Sequence, residues 1–215
     1  MSNIKTVTID LIKYDIHNNF AVAVGAEPRL PGDIKILPYV NGLPVVGIEK
    51  QAFANRGINN IELPNTIEII EEAAFMGCRN LKKINFPQNL KGIGRSAFAY
   101  CSNLSSVTIP GKTQLSTSIF FGCINLKEVI LMNGIQNIPQ RCFFQSPIEE
   151  VTIPRSVKDI GLAAFNKSVE GFTVICYKDS IAEKWGREAG AKIKYKDSQL
   201  NIFLKENTSK ETIIK

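Results

Sequence analysis

The feature that most constrains this chain is a phenylalanine that returns at an almost constant interval. Successive copies are separated by 22, 23, 22, 23 and 22 residues, and they are Phe53, Phe75, Phe98, Phe120, Phe143 and Phe165. Five residues before each one stands a large aliphatic residue: Ile48, Ile70, Ile93, Leu115, Ile138 and Ile160. A period of this length predicts a solenoid, in which each repeat buries its apolar side against the next repeat.

A short alternation of apolar and polar residues follows each phenylalanine and predicts one strand per repeat. Examples are Ile61-Glu62-Leu63-Pro64 and Val107-Thr108-Ile109-Pro110. Proline has no N–H group to donate, so it ends a strand cleanly. Because the repeats are alike, their strands should stack in parallel with the aliphatic side chains directed inward. The sequence therefore predicts a repeat β-solenoid with parallel strands on one face.

Both ends of the chain lack the repeat and are expected to form caps, since an open end would expose the core. Residues 4–24 alternate around His17-Asn18-Asn19, which is typical of a β-hairpin. Ser180 with Glu183 predicts the start of a capping helix, and Gly190 predicts its end. The expected units are an N-terminal hairpin cap (1–32), a solenoid of about six rungs (33–178), a C-terminal cap of helix plus strand (179–195) and a polar tail (196–215).

The charge distribution and the absence of long apolar runs narrow the possible partners. The formal net charge is +6, and residues 192–215 carry six lysines against three acids. The remaining body lacks the clustered basic stripe of a nucleic-acid groove. No apolar run reaches the roughly 18 residues of a membrane span, and the first residues do not resemble a signal peptide. We expect a cytoplasmic protein; the alternative, for a trimmed sequence, is a secreted or cell-surface protein with a host or cell-surface ligand.

The five cysteines predict buried thiols and not a metal site. An odd number cannot all pair in disulfides. Adjacent rungs lie about 4.8 Å apart, so equivalent thiolates would form a straight ladder, whereas zinc requires converging ligands. We expect each thiol to donate weakly to a turn carbonyl, and we expect neither a metal nor a cofactor. Cys78, Cys101 and Cys123 share one repeat position, which other copies fill with Arg56, Ser146 and Ser168.

No arrangement of residues points to catalysis. His17 is the only histidine, so neither a Cys/His pair nor a Ser/His/Asp triad is supported by the spacing. The adjacent acids Glu149 and Glu150 would face opposite sides of a strand, which argues against an acid–base pair. No glycine-rich phosphate loop occurs. The sequence therefore predicts a non-enzymatic protein.

Three repeats carry a longer motif: a strand, spaced aliphatic residues, and then Ala-Phe-x-x-Cys-x-x-Leu or a close variant. Its last parts are Cys78-Arg79-Asn80-Leu81, Cys101-Ser102-Asn103-Leu104 and Cys123-Ile124-Asn125-Leu126. This motif resembles the BspA-like class of bacterial leucine-rich repeats, and the resemblance covers about residues 33–195. The resemblance implies a curved solenoid, a binding or adhesion role, and no catalytic residues. It also implies export and surface attachment, which are common in that family.

The candidate binding surface is formed by outward residues of the predicted strands. Each strand has one outward residue between two inward ones and a second outward residue two positions earlier. We expect Ile130 to be an apolar anchor with an acidic rim at Glu128 and Glu150. One exposed row should contain Glu62, Asn85, Thr108, Ile130, Thr152 and Thr173. The full site hypothesis is Glu62, Lys83, Asn85, Ser106, Thr108, Glu128, Ile130, Glu150, Thr152 and Thr173.

Two functions compete for this surface. The first is a protein–protein interaction scaffold whose partner is a protein of unknown identity. The second is a cell-surface adhesin or glycan-binding module. A glycan site normally presents several outward aromatic rings, and the predicted row has none, which favours a protein partner. The remaining interpretation is a sheet face that is merely solvated.

Overall fold

A computed structural model describes residues 4–30, 32–165 and 170–196 of the chain. These residues coil into a parallel-strand solenoid of about eight turns, followed by a single C-terminal helix. A typical turn contributes one strand to a first sheet, a shorter strand to a second sheet, and a bend that carries the repeated phenylalanine. The predicted repeat β-solenoid is therefore confirmed.

Between residues 43 and 176 the strands alternate between the two sheets. In chain order the elements are β1 (Lys5–Ile9), β2 (Ile12–Ile16), β3 (Ala21–Ala26), β4 (Asp33–Lys35), β5 (Tyr39–Val40), β6 (Leu43–Ile48), β7 (Asn60–Glu62), β8 (Ile69–Ile70), β9 (Lys83–Ile84), β10 (Gly92–Ile93), β11 (Ser106–Ile109), β12 (Gln114–Leu115), β13 (Glu128–Leu131), β14 (Asn137–Ile138), β15 (Glu150–Thr152), β16 (Asp159–Ile160), β17 (Thr173–Cys176), α1 (Ile181–Glu188) and β18 (Lys192–Tyr195).

The strands that follow the phenylalanines form what we call the face sheet. It consists of two parallel sections, β4-β7-β9 and β11-β13-β15-β17-β18. The strands that precede the phenylalanines form the flank sheet, which runs in parallel through β3-β6-β8-β10-β12 and continues in the pair β14-β16. From β8 onward each flank strand is only two residues long.

The repeated phenylalanines form one continuous column in the core. Neighbouring ring centroids along the column lie 4.9–5.6 Å apart, and the planes of neighbouring rings differ by at most 14°. Every ring is buried, and so are most of the preceding aliphatic residues, although Leu115 and Ile160 are only half-buried. The interpretation of these phenylalanines as core residues is confirmed.

Each phenylalanine is preceded by a bend with left-handed backbone. The residue two positions before the ring has φ between 52° and 59° in all six copies, and none of these residues is glycine. Left-handed geometry costs an L-residue about 1–2 kcal/mol. Backbone bonds between turns offset this cost, as in the bond from the Phe75 N–H to the Ala97 carbonyl (2.8 Å). The six residues are Gln51, Ala73, Ser96, Ser118, Arg141 and Ala163.

The N-terminal cap has one hairpin more than the sequence predicts. Strands β2 and β3 pair in antiparallel fashion around His17-Asn18-Asn19, as expected, and β1 pairs with β2 in a second hairpin. The additional turn uses Asp10 and Leu11, both with positive φ. This turn lacks the Asn-Gly or Asp-Gly pair that is typical of two-residue hairpin turns, so the sequence does not predict it.

The C-terminal cap follows the expected pattern. The Ser180 side chain accepts a hydrogen bond from the Glu183 N–H (3.2 Å), and Gly190 follows the helix with φ 74°. Trp185 covers the end of the column, with its ring centroid 5.2 Å from that of Phe165. Strand β18 then adds the last rung in parallel to β17. The predicted polar tail, apart from Lys196, lies outside the described residues.

Candidate functional site

The face sheet carries two rows of outward residues. The first outward row pairs Lys35 with Glu62 and then continues through Thr108, Ile130, Thr152, Ile175 and Lys194. The second outward row pairs Asp33, Asn60 and Lys83, and then Ser106, Glu128, Glu150, Thr173 and Lys192. Asn85 follows directly after β9. All the predicted binding residues except Thr173 are exposed or half-buried.

The placement of Thr173 corrects the sequence prediction. Thr173 pairs with Glu150 in the second row, and Ile175 pairs with Thr152 in the position that was expected for Thr173. The sequence predicts that Phe172 and Val174 are the two inward residues of this strand. In the structure Val174 pairs with the inward Val151, and Cys176 is the next inward residue. Thr173 is buried (7% exposed), and its hydroxyl donates to the Gly171 carbonyl at 3.1 Å. It is therefore not available as part of an exposed row.

Ion pairs between strands modify the charge of the face. The Lys35 ammonium lies 3.1 Å from the Glu62 carboxylate, and the Lys194 ammonium lies 2.9 Å from the Glu150 carboxylate. Exposed pairs of this kind contribute little stability, but they neutralise part of the surface. The acidic rim expected around Ile130 is thus reduced, because Glu150 is paired and Glu128 supplies the remaining carboxylate.

The face sheet is interrupted between β9 and β11, where the two sections meet without pairing. Phe86 lies beside this break and packs edge-on against Phe98, with ring centroids 5.5 Å apart. The corresponding inward positions of other rungs hold the aliphatic residues Leu63, Ile109, Leu131 and Ile153. We attribute the separation of the strands to the larger ring at this position.

A groove of about 270 Å³, here called the face groove, lies at the break. Four of the predicted binding residues line it together: Lys83, Asn85, Ser106 and Thr108. Met132 adds a thioether to the lining, and its side chain is 38% exposed. An ammonium, an amide, two hydroxyls and an apolar edge can together orient a polar backbone and accept one apolar side chain.

A second outward surface was not predicted from the sequence. Tyr100, Phe121 and Phe144 form a row of rings along the phenylalanine bends, with centroid distances of 5.4 and 5.8 Å. We call this row the aromatic edge. The Tyr100 ring covers Gly122, where an added Cβ would lie 2.8 Å from Tyr100 Cδ1. The Phe-Phe pairs at 120–121 and 143–144 are the sequence signal for this surface, because only the first ring of each pair belongs to the core column.

The thiol ladder has the geometry that the sequence predicts. The Sγ atoms of Cys78, Cys101 and Cys123 donate to the carbonyls of Phe53, Phe75 and Phe98 at 3.1, 3.3 and 3.2 Å. Ser146 makes the equivalent bond to the Phe120 carbonyl (2.7 Å), and Arg56 reaches the Ala26 carbonyl (3.0 Å). The equivalent Ser168 lies outside the described residues.

The thiols themselves are free and buried. Burial raises the pKa of Cys78 and of Cys123 to about 12, because the buried site disfavours the thiolate. A thiol that stays protonated is a poor nucleophile and a poor metal ligand. Within the described ranges, no group of three or more histidine, cysteine, aspartate or glutamate side chains is arranged to hold a metal ion. The His17 ring stacks on Phe20, with centroids 4.6 Å apart.

A family model described as the BspA type leucine rich repeat region matches residues 46–170 in six copies. Comparison with curated proteins gives no match. In the part of the chain that the structure describes, no helix has the length and apolar character needed to cross a membrane.

Several solved structures share the fold. A leucine-rich repeat protein of T. pallidum is 20% identical, with a TM-score of 0.63 over 88% of this chain and 98% of that chain. A leucine rich cell surface protein of Faecalibacterium prausnitzii is 24% identical, with a TM-score of 0.61 over 82% of this chain and 55% of that chain. The pneumococcal vaccine antigen PcpA is 22% identical, with a TM-score of 0.64 over 81% of this chain and 50% of that chain. At these identities the likeness concerns the fold alone.

Proposed function

The chain belongs to the BspA-type leucine-rich repeat family, and from this premise we propose that it is a non-enzymatic scaffold that binds a partner protein through its face sheet. Stacked repeats present long continuous surfaces, and proteins of this architecture use such surfaces for binding. The eight strands of the face sheet make six paired steps of about 4.8 Å, roughly 29 Å in all, and the step across the break adds to this length. That length suits one side of an ordinary protein interface. The proposed interaction requires no cofactor and no nucleic acid.

The observation that carries this proposal is the face groove with its apolar neighbour Ile130. Ile130 pairs with Thr108 across β11 and β13, so it lies one strand away from the groove. It is half-buried and flanked by Thr108 and Thr152, and the core does not require an apolar residue at an outward position. Apolar anchors near the centre of an interface tend to dominate its affinity. The partner is therefore expected to insert a polar segment into the groove and to cover Ile130.

The proposal is tested by capture of the partner with the wild type and with Ile130→Asp. Immobilised protein is exposed to lysate of the source organism, and captured proteins are identified by mass spectrometry. We expect the variant to lose the partner, because a carboxylate replaces the apolar anchor. Circular dichroism of both proteins checks that the solenoid is intact.

The matched control is Asn137→Asp, which adds the same charge to the same turn but on the flank sheet. Asn137 is exposed and pairs with Asp159 on β16. We expect this variant to capture the partner as the wild type does. Equal capture by Ile130→Asp, or loss of capture in both variants, would contradict binding through the face sheet.

The aromatic edge favours a second candidate function, a cell-surface adhesin or glycan-binding module. Aromatic rings outside the core can stack on sugar rings, and Arg141 lies 6.0 Å from the centroid of the Phe144 ring. Such a module would act outside the cell. Binding to immobilised polysaccharide that is lost in Tyr100→Ala but kept in Ile130→Asp would favour this candidate over the first.

A further inference from the structure

A second groove lies on the flank sheet, away from the face sheet, and we call it the flank groove. Val22 pairs with Gly47, and Gly47 pairs with Ile69, so these three residues lie side by side on β3, β6 and β8. The residues that follow them, Ala23, Ile48 and Ile70, are fully buried, which places Val22 and Ile69 on the outward side. Gly47 has no side chain, so it forms a floor between two apolar walls.

The flank groove has a volume of about 400 Å³, which is large enough for one or two aliphatic side chains. Val46 adds to its apolar lining, and Ile69 is 37% exposed although it belongs to a strand. An exposed isoleucine beside a glycine leaves apolar surface in contact with water. Burial of that surface by a partner is favourable because it removes apolar area from water.

The rim of the flank groove is acidic although the chain as a whole is basic. Three carboxylates line it, those of Glu49, Glu68 and Glu71, against the single ammonium of Lys50. Lys91 lies 2.6 Å from Glu68, and Lys50 itself lies 3.3 Å from Glu72. No ion pair within the described residues involves Glu49 or Glu71. The groove therefore presents two unpaired carboxylates beside an apolar trough.

From this combination we propose that the flank groove binds a short segment of a partner protein in which an aliphatic side chain is flanked by lysine or arginine. The aliphatic side chain lies over Gly47 between Val22 and Ile69. The basic side chains meet the carboxylates of Glu49 and Glu71. This charge complementarity excludes acidic segments and nucleic acid, whose negative charge the rim repels.

The structure offers a variant that closes the groove without disturbing the fold. A Cβ at Gly47 would lie 3.5 Å from the Ile69 carbonyl oxygen and 3.5 Å from Val22 Cγ1, which is ordinary contact, and φ is not left-handed. The Cβ of Gly47→Val is therefore accommodated in the strand, and we expect its two methyl groups to occupy the floor of the groove. Gly57→Val is the matched control, because an added Cβ there would lie 3.9 Å from the Asn80 amide nitrogen, in a bend remote from the groove. The double variant Glu49→Gln with Glu71→Gln removes the rim charge and keeps the shape.

The experiment uses two labelled synthetic peptides on the full chain, Gly-Lys-Lys-Val-Leu-Val-Lys-Lys-Gly and its counterpart with glutamate in place of lysine. Fluorescence anisotropy gives the affinity, and amide chemical shifts locate the binding surface. We expect the basic peptide to bind with Kd below about 1 mM, to shift the amides of Val22, Gly47 and Ile69, and to bind at least about tenfold more tightly than the acidic one.

Both groove variants should weaken the basic peptide at least about tenfold, whereas Gly57→Val and Ile130→Asp should bind it as the wild type does. The last comparison separates this proposal from binding at the face sheet. Absence of binding by the basic peptide, equal affinity for both peptides, undiminished binding by Gly47→Val or by the double glutamine variant, or shifts confined to another surface would each overturn the proposal.

Discussion

At the scale of single residues, one carbonyl in each turn joins that turn to its neighbour. The Phe75 carbonyl accepts from the Cys78 N–H of its own turn (3.1 Å) and from Cys101 Sγ of the next turn (3.3 Å). The residue three positions after each repeated phenylalanine therefore needs a side chain that can donate a hydrogen bond to the preceding turn. Cysteine, serine and arginine all supply one, which explains why such different residues share the position in the sequence.

The first prediction concerns Phe98, which lies between its neighbours in the column at centroid distances of 5.2 and 5.6 Å. Phe98→Ala should lower the free energy of unfolding by about 3–5 kcal/mol, because it leaves a cavity in contact with both adjacent turns. Denaturant titration followed by circular dichroism measures the loss. Tyr100→Ala is the control, since that ring is 49% exposed, and it should cost less than about 1 kcal/mol. A loss below about 1 kcal/mol for Phe98→Ala would contradict the interpretation that packing in the phenylalanine column is the main source of stability between turns.

The residue pattern predicted the phenylalanine column and the thiol bonds because both depend on strict spacing. It could not place Thr173, since the segment before β17 differs from the other rungs and offers two possible inward registers. It also could not show the left-handed residues before each ring. Serine, alanine, arginine and glutamine adopt this geometry only because the neighbouring turn holds it, and that constraint is not visible in local sequence.

At the scale of elements, the C-terminal cap depends on one carboxylate. The Glu183 side chain accepts from the Tyr195 hydroxyl (2.5 Å), from Arg187 Nη2 (2.9 Å) and from the Asp179 N–H (2.7 Å). It thereby joins helix α1 to strand β18 and to the loop before the helix. These bonds, with that of Tyr195 the largest, lower the pKa of Glu183 to about 2.

The second prediction follows from this shift. The pKa of Glu183 is lower in the folded state than the value of about 4.3 expected in an unfolded chain, so its stabilisation is complete above that value. The stabilisation is lost as the pH falls from about 4.5 towards about 2. Fluorescence of Trp185, the only tryptophan of the chain, should therefore change over this range as the cap loosens.

Two variants check that Glu183 causes the change. Glu183→Gln should already show the loosened signal at neutral pH, and its fluorescence should vary less between about pH 5 and 2. Glu188→Gln, at an exposed position of the same helix, should keep the wild-type profile. An unaltered profile in Glu183→Gln would show that other carboxylates control the cap.

The capping helix could be predicted because its start and end are marked by side-chain chemistry at Ser180, Glu183 and Gly190. The two-residue strands of the flank sheet could not, because an alternation needs at least four residues to be recognised. They form because the preceding turn offers them a partner. The flank groove could not be predicted either. It depends on Gly47 lying between Val22 and Ile69, and only the pairing of strands from different turns brings these residues together.

At the scale of the whole molecule, the face sheet is two sections and not one. Strand β11 has one paired neighbour, β13, and its other side is unpaired, whereas β13 is paired on both sides.

The third prediction is that the Thr108 amide exchanges with solvent at least about tenfold faster than the Ile130 amide, which occupies the equivalent register. Hydrogen exchange followed by NMR measures both. In Phe86→Leu, a smaller residue should let the sections approach and slow the exchange at Thr108. Equal protection of Thr108 and Ile130 in the wild type would show that the break does not open the sheet.

Because each turn bonds to the next through the same backbone positions, the length of the molecule can change without a change at either end. Removal of residues 76–98, one full period, would join Phe75 to Ala99 and restore the order Ala-Phe-Ala-Tyr-Cys. Strand β7 would then adjoin β11, and the break would disappear with Phe86. The two caps would move closer by one strand spacing, about 4.8 Å. The number of turns therefore sets the distance between the two caps, and duplication or loss of one coding period would change that distance by one strand spacing.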